Sequence, residues 1–249
     1  MFGADELVLQ LAFVGGFRGD ADFGDVPAVS VYGDGRVITL GPQIEIYPPP
    51  ALPNVQVATI KQADLQRLLD RARAARIGEE RDFGQPGIAD ATTARFRLRT
   101  SEGLVQTEVY ALTESGDASG LTEEQQANRR GPAQLMQTMQ DLRKTFGADA
   151  VGPERPYQAK AVAAVAREWT ADPQMPQKEI AWPGPDLPGP RISDTPWGCV
   201  TATGTQAEAI YTAAAQANTL TPWVSGGKRW FAQLRPLLPD EVNCMSITG

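Results

Sequence analysis

The chain reads as an α+β protein: an antiparallel, hairpin-based sheet with covering helices, followed by a smaller disulfide-closed α+β module. Three observations predict this. Two pairs of alternating apolar and polar stretches are each joined by a glycine-bearing turn, the signature of a β-hairpin. Two later runs space their apolar residues for one face of a helix. Cys199 and Cys244 bracket a strand, helix and hairpin whose ends are placed to be stapled.

In chain order, Leu7 to Val14 is a run of β-compatible apolar residues ended by Gly15-Gly16, which suits a buried strand. Val29 to Tyr32 and Arg36 to Leu40 flank Gly33-Asp34-Gly35, whose glycines permit positive φ; this is the first hairpin. The proline-rich stretch Pro42 to Pro53 cannot donate regular ladder bonds and is expected to be an extended arm laid over the surface. Gln62 to Arg76 carries Leu65, Leu68, Leu69, Ala72 and Ala75 on one face, with Gly78 as a stop. Ala94 to Thr100 and Leu104 to Tyr110, joined at Ser101-Glu102-Gly103, form the second hairpin. A helix begins at an N-cap Thr122 with an acidic first turn; Gly131-Pro132 is expected to interrupt it before Ala133 to Phe146 resumes.

From Tyr157 the texture changes, and the boundary falls between an N-terminal domain, 1–152, and a C-terminal module, 153–249; a single continuous sheet shared by both halves is the competing picture. Ala161 to Ala166 is helical by propensity, yet Pro156 before it and Trp169, Thr170 and Pro173 after it favour a strand. The proline-rich segment 173–196 is expected to have no regular structure of its own. The module closes with a strand from Cys199, a helix from Gln206 to Asn218, a Gly226-Gly227 turn and a strand from Arg229 to Arg235.

Composition excludes more than it assigns. The chain of 249 residues, 42% hydrophobic, supplies an ample core. Its net charge of -7 repels a nucleic-acid backbone. It has no histidine, which removes Ser-His and Cys-His catalysis and histidine-ligated metals. Two cysteines without a CxxC pair leave a choice between two buried thiols and one disulfide, and the stapled ends favour the disulfide. Leu7 to Val14 follows Asp5 and Glu6 and is too short to span a bilayer, so an export signal is expected to have been removed already.

The remaining candidates are weak. Trp182, Trp197, Trp223 and Trp230, in a row at the surface, would make a ligand-stacking platform; as anchors for proline-rich arms they would be core, and that reading is preferred. Asp20, Asp22 and Asp25 are a calcium candidate whose spacing misses the EF-hand loop, so no metal is expected. Arg18-Gly19-Asp20 spells the integrin-binding tripeptide, a match that three residues reach by chance. Asp240 with Glu241, or Glu79, Glu80 and Asp82, are the acid clusters for glycan hydrolysis, but both look like surface charge. No nucleophile elbow, phosphate-cradling loop or dinucleotide fingerprint is present, so no catalytic residue and no cofactor is assigned.

The set Ser30 to Ile38, Gly41-Pro42 with Ile46-Tyr47-Pro48, Ala51 to Asn54, Val109 to Glu114 and Leu234 to Glu241 resembles a family of actinobacterial secreted proteins, many of them lipoproteins, with no assigned activity. That resemblance implies export, hence a disulfide, and a lipid anchor in the full-length precursor. Gly226 to Arg229 leading to Cys244 is similar to subtilisin-inhibitor-like proteins of the same bacteria in its order of turn, strand and cysteine. The functional expectation is therefore an extracellular or cell-surface protein, non-enzymatic, that binds a macromolecule or wall polymer. A proteinase inhibitor and a carboxylate-based glycan hydrolase are the alternatives.

Overall fold

The computed structural model describes residues 2–16, 25–114 and 120–248. It is α+β, with two separate sheets in two compact units. One unit comprises the described residues of 1–22 with 27–40 and 55–157; the other comprises 41–54 and 158–248, with Asp25 and Val26. The boundary thus falls after Tyr157 rather than 152, and the arm 41–54 belongs to the second unit rather than the first. Two sheets with separate cores replace the single shared sheet.

The first unit is a seven-stranded antiparallel sheet. Strand β1 (Leu7–Val14) lies in its interior, paired on one side with β2 (Val29–Tyr32) and on the other with β5 (Thr93–Thr100). The first hairpin continues to β3 (Arg36–Leu40), β4 (Val55–Thr59) and the two-residue β7 (Arg155–Pro156); the second closes the other side with β6 (Gly103–Tyr110). Strand β4 and the two-residue β7 were not anticipated. The pairings Leu9↔Val31, Leu9↔Leu98, Leu11↔Phe96 and Val31↔Val37 put one row of apolar side chains on one face. Against that face pack α1 (Gln62–Ala74), α2 (Glu123–Gln140) and α3 (Leu142–Phe146), through Leu65, Leu68, Leu69, Leu135, Met136, Met139 and Leu142. A 3₁₀ turn, Ala148–Ala150, follows.

In the first turn only Gly35 has positive φ, at 89°. Gly33 is required by space instead, since a Cβ there would lie 2.3 Å from the carbonyl oxygen of Gly3. Asp34 braces the turn by accepting from Arg36 N at 3.0 Å and Arg36 Nε at 2.6 Å.

Helix α2 corrects the expected interruption: it runs through Gly131-Pro132 without a break. A proline inside a helix costs about 3 kcal/mol or more, which burial of Pro132 and of the residues just beyond it must offset. Gly131 serves a close approach, because a Cβ there would sit 3.0 Å from Ala75 Cα at the end of α1. The helix starts in a capping box at Thr122 and breaks at Asp141, whose side chain accepts from Lys144 N and so caps α3. Gly131→Leu is expected to wedge α2 off α1 and cost about 1–3 kcal/mol, read as a lowered midpoint in urea unfolding.

The second unit is a five-stranded sheet in the order β10-β8-β12-β11-β9. It is built from β8 (Ala161–Glu168), β9 (Ile180–Ala181), β10 (Gly198–Thr203), β11 (Trp223–Ser225) and β12 (Lys228–Pro236). The alanine-rich run is a strand, β8, paired along its length by β10 and β12. Gly226 and Gly227, both at positive φ, make the two-residue turn between β11 and β12. Within the proline-rich segment, β9 pairs parallel with β11, so that segment does contribute a short strand. Helix α4 (Gly204–Ala214) packs Ala207, Ile210 and Ala214 against Val162, Ala164, Ala202, Ala232 and Leu234 on one face of the sheet. Ala51 of the arm joins the same core, and its N–H donates to the Ala217 carbonyl at 3.2 Å. A short helix, α5 (Met245–Thr248), follows Cys244.

Candidate functional site

The disulfide forms between Cys199 in β10 and Cys244, with a Cα separation of 6.0 Å. Cys244 N also donates to Thr201 Oγ1 at 3.0 Å, so the C-terminal segment is held on β10 by a covalent and a polar contact.

The tryptophans do not form a platform. Trp182, Trp197 and Trp223 are buried and Trp230 is half-buried. Trp182 and Trp223 meet edge to face at 5.4 Å inside the second core. A buried ring has no face to offer a ligand, so these residues anchor the sheet and the proline-rich segment to each other.

Asp20 and Asp22, like Arg18-Gly19-Asp20, lie outside the described residues; the backbone carbonyl of Asp25 accepts from Arg235 Nε at 3.1 Å. No group of three side chains that could hold a metal occurs among the described residues. Glu241 is not surface charge. Its carboxylate accepts from buried Arg235 at 2.7 Å and from Leu238 N at 2.7 Å, while Asp240 is exposed. Burial pushes the Glu241 carboxyl above the usual carboxylate range, a stronger effect than the opposing pull of Arg235 and the Leu238 amide. Glu79 pairs with Arg76, and Asp82 accepts from Gln125 and Gly84 N. Each of these contacts is structural.

What composition did not single out is the tip of the arm. Its neck is a clasp: Gly41 N donates to the Asn54 carbonyl at 2.8 Å, Gln43 Nε2 donates to the Gly41 carbonyl at 2.6 Å, and Asn54 Nδ2 donates to the Pro42 carbonyl at 2.8 Å. Its tail is pinned where Thr219 N donates to the Pro49 carbonyl at 2.9 Å and where Ala51 enters the core. Between these anchors Ile44, Ile46 and Tyr47 are exposed by 64%, 55% and 74%. Pro48, Pro49 and Pro50 fix φ behind them, so little conformational freedom is left for a partner to remove. The sequence signal for this loop was present in the alternation Ile44-Glu45-Ile46 ahead of the prolines. Only the clasp shows that both ends are held.

No family model, curated protein or solved structure matches the chain. No helix among the described residues is long and apolar enough to cross a membrane.

Proposed function

We propose that this is an exported, non-enzymatic binding protein that engages a protein partner through residues 44–47. The observation that carries the reading is the exposure of two isoleucines and a tyrosine on a loop braced at both ends. Water-exposed aliphatic side chains of this size are a cost in isolation and become favourable when buried in a partner's apolar cleft. A protein fits better than a wall glycan, because the exposed side chains of the loop are mostly aliphatic, with Tyr47 their one ring, and the tryptophans considered for stacking are buried or half-buried. The disulfide and the resemblance to secreted proteins support export.

The test is site-specific photo-crosslinking from position 46, with exposed Glu208 on α4 as the control position, in surface extracts of the producing cell. One adduct specific to position 46 is expected. The purified partner should then bind about a hundredfold more weakly to Ile44→Ser/Ile46→Ser/Tyr47→Ser, the loss typical of central apolar anchors. Adducts of equal yield at both positions, or an unchanged affinity, would remove the proposal. The proteinase-inhibitor reading rests instead on the similarity of Gly226 to Arg229 leading to Cys244 and needs a protruding rigid loop near the disulfide: micromolar inhibition of a serine protease would support it. A panel without inhibition rejects it.

A further inference from the structure

We propose that Arg167 is the anchor of a binding site for a monocarboxylate carried on an apolar group, independent of the loop at 44–47. The site lies on the face of the second sheet opposite α4. Registers Phe231↔Arg167, Gly198↔Ala166 and Arg235↔Ala163 put Arg167, Phe231, Arg235 and Trp197 on that face, and Arg229 follows two residues before Phe231. Three arginines therefore line one side of the sheet, and their partners differ. Arg235 is paired with Glu241, and Arg229 with Glu179 at 2.7 Å. Arg167, between them, has no hydrogen bond or ion pair among the described residues, and its Nε is buried without an acceptor.

Its guanidinium instead lies against a pair of rings, 5.1 Å from the Trp197 centroid and 5.2 Å from that of Phe231, which themselves meet edge to face at 5.7 Å and so sit together on one side of it. Ring contacts fix the plane of a guanidinium without consuming its in-plane N–H donors. The side chain is half-buried, and of its nitrogens only Nε is buried without a partner among the described residues. Two parallel donors at a preset orientation fit a carboxylate bidentately. A single cation beside the half-buried Phe231 ring suits one negative charge on an apolar body. Phosphate, which is doubly charged and strongly hydrated, calls for several donors.

The probes are 3-phenylpropionate, its neutral alcohol 3-phenylpropan-1-ol, and inorganic phosphate, titrated calorimetrically into the intact disulfide-bonded protein. Saturable binding of the acid with Kd on the order of 1 mM is expected, with the alcohol and phosphate at least about tenfold weaker. Arg167→Met keeps the packing against the rings and should lose the same tenfold, while Arg167→Lys should fall between. Equal binding of acid and alcohol, phosphate binding as tightly as the acid, or no saturation at about 50 mM acid would overturn the proposal. The acid-against-alcohol comparison on the unmodified protein decides the matter even if Arg167→Met fails to fold.

Discussion

Opening the Cys199–Cys244 bridge is expected to destabilise the second unit by about 4 kcal/mol, the loop-closure entropy for a separation of 45 residues. The loss should be local. The first unit holds its own core between one sheet and three helices and contains neither cysteine, so its amides should keep their protection in hydrogen exchange after reduction. Amides of β10 and β8 should exchange faster, because the bridge from Cys244 holds the C-terminal segment against β10 and the hydrogen bond to Thr201 is a weaker tie. Thiol titration of the denatured, non-reduced protein is the companion measurement. Two reactive thiols would show that the bridge is absent in the protein as produced and would take the argument for export with it.

Glu241→Ala should cost about 3–5 kcal/mol, comparable with loss of the disulfide, because it strands the guanidinium of Arg235, which is only 2% exposed. The remaining acceptors of Arg235, the carbonyls of Asp25 and Pro236, carry no charge to balance it. Replacing both partners, Arg235→Met with Glu241→Leu, should recover most of that loss, since two desolvated charges leave together. A double-mutant cycle in urea gives the coupling; a double variant as unstable as Glu241→Ala would refute the ion-pair account. The pH dependence has a definite sign. A carboxyl whose folded pKa is raised contributes most below its unfolded pKa, and that contribution fades as pH rises through the folded value. The carbon-13 titration midpoint of Glu241 should accordingly lie above the usual carboxylate range. Both changes loosen the same C-terminal segment, so combining Glu241→Ala with reduction should cost less than the sum of the two.

The two hairpins, the strand at Leu7, helix α1 and the identity of the bridged cysteines follow from the sequence by itself. Each rests on local chemistry: alternation at period two, turn residues, apolar spacing at period 3.6, and a pair of sulfurs without competitors. The acid pair at 240–241 was legible as a cluster but not as what it is, because adjacency in sequence does not say that one carboxylate is buried on an arginine six residues earlier. Tertiary structure alone decided the rest. Pro132 breaks a helix locally, yet the burial of Leu135, Met136 and Met139 on the sheet keeps α2 continuous. The arm at 41–54 follows a strand of the first unit but is held in the second by Ala51 and Pro49, residues more than 160 positions from their partners Ala217 and Thr219. Arg167 is one of many basic residues in the sequence. It becomes a candidate site because β8, β10 and β12 bring Trp197 and Phe231 together beside it, a juxtaposition fixed by strand register and invisible to any local pattern.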